Sequence, residues 1–177
     1  MSCGCCNQAN RAVDIVGLCD TDKIIFDPNV PEEYAWTEMS IPEVLRIPCQ
    51  KPEIESVDRV FVRVKIISKK VIDTPDSETV ENEEGTLLTG KKLIVEGILK
   101  QKIVYTALLP DQPVHSANFD IPFSAFIVLD STAELEDEYC VETCVEDVYV
   151  KVLGKKEIFK NVTLLLRAKK LESFVCP

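Results

Sequence analysis

The sequence predicts an all-β fold, a β-sandwich that is jelly-roll-like in the broad sense, preceded by a flexible cysteine-rich amino-terminal arm. Two observations point there. Several long stretches alternate apolar and polar residues with the period of a strand, and very few carry the spacing of an amphipathic helix. Proline-, glycine- and aspartate-containing turns separate those stretches, as in antiparallel sheets. With 177 residues, 46% of them hydrophobic and 28% charged, the chain is long enough for one well-buried core. We divide it into an arm, residues 1–19, and a single β domain, residues 20–177.

Met1–Asn10 is small and polar, holds Cys3, Cys5 and Cys6, and has almost nothing apolar to bury besides sulfur. Val13, Ile15, Val16 and Leu18 then form a short strand or arm. It can edge its own domain or add to a neighbour's sheet, and the sequence favours neither. Pro28, Pro31, Pro42, Pro48 and Pro52 punctuate the next stretch. Proline has no N–H for a sheet ladder, so loop, turn and edge strand are expected there.

From Val57 the strand pattern is strong: Val60, Val62, Val64 and Ile66 alternate with Phe61, Arg63, Lys65 and Ile67. Residues 74–84 hold five acids and no base, which reads as a solvated loop. Leu93–Leu109 is a second long β segment, bulged or bent at Gly97, where the apolar phase shifts. Pro110-Asp111-Gln112-Pro113 is a turn. Val114–Asn118 and Phe119–Leu129 follow as two strands broken near Pro122, with Phe119, Phe123 and Phe126 expected in the core. Residues 134–147 contain seven acids and no base, and a short helix at 134–141 is allowed. The last element is a hairpin, Val145–Leu153 and Ile158–Lys169 around Gly154-Lys155-Lys156, with Val162, Leu164, Leu166 and Ala168 facing inward.

Thirty acidic against twenty basic residues give a net charge of -10. That field repels phosphate backbones and anionic lipid, so neither nucleic acid nor a membrane is an expected partner. The amino terminus does not read as a secretory signal, because Asp14 and Asp20 interrupt the stretch after Arg11. No run approaches the ~18 apolar residues of a membrane span. The chain is therefore expected to be made in a cytoplasm and to stay soluble there. Eight cysteines are many for such a protein.

Val95-Glu96-Gly97, Lys102-Ile103-Val104-Tyr105, Gln112-Pro113-Val114-His115-Ser116-Ala117 and Ile121-Pro122-Phe123-Ser124-Ala125-Phe126-Ile127 together resemble the signature of the SPOCS domain. The likeness extends on strand pattern over about residues 57–169. The resemblance implies a protein of spore-forming, mainly clostridial, bacteria that acts in coat assembly or spore-surface structure by protein–protein contact. Family members that act as coat morphogenetic factors carry an additional peptidoglycan-binding LysM module, for which this chain has no room. Its cysteine-rich arm is similar in layout to those of spore appendage subunits. A spore coat, made in the mother cell and exposed to an oxidising exterior on lysis, also reconciles the cysteines with a missing signal.

The cysteines support three chemistries unequally. Catalysis is not expected: Cys140 and Cys144 sit among acids, and Cys3, Cys5 and Cys6 have no base nearer than Arg11. Nor is there a nucleophile–base motif or a phosphate loop. A four-sulfur zinc site from Cys3, Cys6, Cys140 and Cys144 is second, though the spacing does not require it. Disulfides come first, and between chains rather than only within one. An extended arm turns Cys3 and Cys5 one way and Cys6 the other. Cys19, Cys49, Cys140, Cys144 and Cys176 complete the set of intersubunit candidates. His115, the only histidine, is expected to be a hydrogen-bonded strand-edge residue rather than a ligand or base.

The expected function is a non-enzymatic structural subunit, without cofactor or metal, that self-assembles into a spore appendage, fibre or coat layer at the spore surface. Intersubunit disulfides through the arm would cross-link it. The alternatives are a monomeric coat-assembly adaptor that binds other coat proteins and, third, a zinc-binding module.

Overall fold

Two β-sheets, facing each other across a layer of aliphatic side chains, make up the described part of the molecule. The computed structural model describes residues 13–20, 22, 24, 34–77 and 88–171. Seven strands follow in order: β1 (Asp14–Val16), β2 (Tyr34–Arg46), β3 (Ile54–Asp76), β4 (Thr89–Ala107), β5 (Val114–Val128), β6 (Tyr139–Gly154) and β7 (Glu157–Lys170). The first sheet has the order β1-β3-β4-β5 and the second β2-β7-β6. All pairings are antiparallel except β1 with β3. The all-β sandwich expected from the sequence is the observed fold.

The core lies where the period-two apolar faces meet. Val60, Leu93, Val95, Leu99, Ile103 and Ile127 from the first sheet, with Ile158, Val162, Leu164 and Leu166 from the second, are 1% exposed or less. Each such side chain contributes about 1.5–3 kcal/mol by leaving water. The inward face read for the last hairpin is correct, and its turn falls at residues 155–156.

Several local expectations differ from the structure, each for a physical reason. The segment after Val114 is one unbroken strand through Pro122. Because β5 is the outer strand of its sheet, its missing N–H costs no ladder bond. Gly97 lies within regular β4; the irregularity is opposite it, where β3 slips register between Ile66 and Ser68. Glycine is needed at 97 for space, since a Cβ there would sit 2.5 Å from Phe123 Cζ and 3.0 Å from Lys65 O. Of the three phenylalanines, Phe123 is buried and Phe119 packs against the core. Phe126 points outward at 51% exposure, beneath the Lys92 ammonium at 4.6 Å.

No helix forms at 134–141. Asp130 accepts from Thr132 N at 2.9 Å, and Asp137 accepts from Glu134 N at 2.8 Å and from Lys170 Nζ at 2.7 Å. These side-chain bonds build turns in place of a helical ladder. The stretch rich in proline contains an edge strand, β2, with Pro42 on it, and a turn through Pro48 and Pro52. Pro28 and Pro31 and most of the acidic loop at 74–84 lie outside the described residues.

Candidate functional site

The segment after β1 decides how the cysteines are used. β1 lies parallel to β3, pairing Asp14–Val16 with Arg59–Phe61, and Arg59 Nε meets Asp14 Oδ2 at 2.5 Å. The strand thus edges its own sheet, as one of the two readings held. At Gly17 the chain turns with φ 113°, so close to β3 that a Cβ would meet Val62 O at 2.1 Å. Two residues on, Cys19 is disulfide-bonded to Cys144 of β6, and Cys19 N donates to Val145 O at 2.9 Å. A segment belonging to the first sheet is thereby stapled to the second.

This corrects the use expected for Cys19 and Cys144, which are joined inside one chain and offer no thiol to a neighbour. It also removes Cys144 from the four-sulfur zinc set. Cys140 is disulfide-bonded as well. On β6 it shares a face with Glu142 and Cys144, opposite the core-facing Val141 and Val145. Cys49 carries a free thiol and is exposed. Its turn is held firmly: Lys156 Nζ donates to the Cys49 and Lys51 carbonyls at 3.0 and 2.7 Å, and Ile47 N donates to Lys156 O. Cys3, Cys5, Cys6 and Cys176 lie outside the described residues. His115 is half-buried at the start of β5 and stacks on Tyr105, ring centroids 5.9 Å apart.

The sheet edges differ in how they receive a further strand. β2, β5 and β6 are outer strands, and β2 and β5 each carry a proline, Pro42 and Pro122, that interrupts any continuous ladder along them. β3 is different: β1 covers only Arg59–Phe61, and among the described residues no other strand pairs with that edge through to Asp76. This stretch carries Arg63, Lys65, Lys69 and Lys70 in a chain of net charge -10, and Ile67, at the register slip, is 59% exposed.

One cluster was missed by the sequence reading. Inside the sandwich, Lys160 of β7 is fully buried, and its Nζ lies 2.6 Å from Oε1 of Glu43 on the paired strand β2. The contact is a buried ion pair. Gln101 of β4, in the opposite sheet, donates from Nε2 to the same Glu43 oxygen at 2.7 Å. Glu43 Oε2, Gln101 Oε1 and Asn161 Oδ1 are buried without a hydrogen-bond partner. Burial pushes the Lys160 amine below the usual lysine range, against the raising effect of Glu43. A signal was present: Glu43 lies between Ile41 and Leu45, Gln101 between Leu99 and Ile103, and Lys160 between Ile158 and Val162, each in phase with buried aliphatics.

Fold and staple define a disulfide-locked, two-sheet β-sandwich. Residues 53–153, from just before β3 to the end of β6, match the family model described as SipL, SPOCS domain. The match covers more than half of the chain, which belongs to the SPOCS domain family, and membership points to a spore-associated role. No curated protein and no solved structure matches it.

Proposed function

We propose that the protein is a structural subunit that assembles with copies of itself into a spore appendage, fibre or coat layer at the spore surface, acting by contact and not by catalysis. Family membership across residues 53–153 is the observation that carries this reading. Two features agree with it. The basic, largely uncovered edge of β3 complements the acidic surface of another copy, a head-to-tail contact that repeats without closing. The free, exposed thiol of Cys49 sits in a pinned turn, open to solvent and so to a neighbour's cysteines. With Cys19 and Cys144 joined internally, Cys49 and the cysteines of the arm and carboxyl terminus are the intersubunit linkers in this proposal.

The prolines on β2 and β5 favour a second reading, a monomeric adaptor that binds other coat proteins, because they discourage strand addition at two of the edges. Negative-stain electron microscopy of the purified full-length chain separates the two. Fibres or sheets are expected, growing with concentration. Single particles at every concentration would replace the subunit with the adaptor.

A further inference from the structure

We propose that Lys160, Gln101 and Glu43 form a self-processing site that welds the two sheets together through an amide bond between Lys160 Nζ and Gln101 Cδ. Glu43 Oε1 holds both reactants, the Lys160 amine at 2.6 Å and the Gln101 carboxamide nitrogen at 2.7 Å. Lys160 is fully buried and Gln101 is 5% exposed, so their partner is fixed by the fold and not by diffusion. Burial favours the neutral amine, the form that acts as a nucleophile.

The steps balance without an oxidant, a metal or a second substrate. Lys160 ammonium passes one proton to the Glu43 carboxylate, leaving a neutral amine and a carboxylic acid. The amine lone pair attacks Gln101 Cδ and forms the Nζ–Cδ bond. Glu43 then delivers its proton to Nε2, the Cδ–Nε2 bond breaks, and ammonia leaves. Glu43 takes up the second proton shed by the former amine. Before the reaction the core holds a cation, an anion and a carboxamide; afterwards it holds a secondary amide and a neutral acid.

That change supplies a driving force. An ion pair between aliphatic walls bears a desolvation cost that its attraction only partly offsets, and orphaned oxygens add to it. Glu43 Oε2 and Gln101 Oε1 are such orphans. The product has no buried charge, and its acid proton gives a donor to a site short of them. The bond would join β4 to β7, central strands of opposite sheets, whereas the Cys19–Cys144 disulfide ties the sheets through the segment after β1.

The experiment is intact-mass spectrometry of the full-length, folded chain after complete reduction and denaturation, followed by proteolysis. The wild type should weigh one ammonia less than its sequence, and digestion should release a branched peptide joining the Gln101 and Lys160 segments. Glu43→Gln and Lys160→Met should both retain the full sequence mass, read against circular dichroism to establish that each variant folds. A folded wild type at full mass would overturn the proposal whatever the variants do. Loss of one water, with the branch at Glu43, would overturn it in favour of a Lys160–Glu43 amide. Loss of ammonia located elsewhere in the chain would also overturn it.

Discussion

At the scale of single residues, the fold depends on positions where one side chain leaves no room for another. Gly97 is the clearest. The Phe123 ring lies where a Cβ would be, and Lys65 O closes the other side. Neither can retreat easily, since Phe123 is buried and Lys65 O belongs to the neighbouring strand. Gly97→Ala should therefore destabilise the domain by about 1–3 kcal/mol, the usual cost of overpacking a filled core. Urea unfolding measures it, and a midpoint equal to wild type would contradict the assignment. The sequence marked Gly97 as special through the shift in apolar phase, but the reason was across the sheet and so invisible along the chain. Phe126 was misplaced in a comparable way: its parity in β5 is that of the outward-facing Ser124, and the aromatic side chain alone suggested the core.

Among the elements, the short β1 and the Cys19–Cys144 staple close the sandwich where β3 and β6 adjoin. The bond spans 125 residues of sequence, so by loop closure it adds as much as about 5 kcal/mol to stability. Cys19→Ser should lower the thermal midpoint under non-reducing conditions and should release β1, read as faster amide exchange at residues 59–61. An unchanged midpoint and exchange would mean that the staple bears no load. The β5–β6 connection is held by charge instead. Hydrogen bonds from Thr132 hold the Asp130 carboxyl below its usual range, and those from Lys170 and the Glu134 amide do the same for Asp137. A carboxyl lowered on folding contributes stability above its unfolded pKa and loses it as pH falls through the folded one. Protection from amide exchange at residues 130–138, relative to the unstructured rate at the same pH, should thus fall on acidification below the ordinary aspartate range, ahead of the core strands. Simultaneous exchange of loop and core would contradict this. The turn and the inward face of the β6–β7 hairpin were legible because period and turn chemistry agree there, although β6 begins at Tyr139, six residues before the strand read from the sequence. β5 was not, because the effect of a proline depends on whether its strand is an edge, which is a property of the sheet.

For the whole molecule, the sandwich class followed from periodicity alone, whereas the partners of the cysteines did not. Which thiols meet depends on the path from β1 over Gly17, and no spacing rule contains it. Met1–Asn10 is a segment with almost no apolar area and three of the eight cysteines. In the proposed assembly the cysteines of the arm and the exposed Cys49 join one copy to the next. Cys49→Ser should shorten the covalent ladder formed on oxidation without altering the circular dichroism spectrum, since the residue is exposed. The most direct measurement of the central claim is a denaturing gel of full-length protein and of protein lacking Met1–Asn10, each with and without reductant. The account predicts a reductant-sensitive ladder for the full chain and its loss on truncation, with the truncated domain still folded. The same ladder from both, or none from either at any concentration, would contradict it.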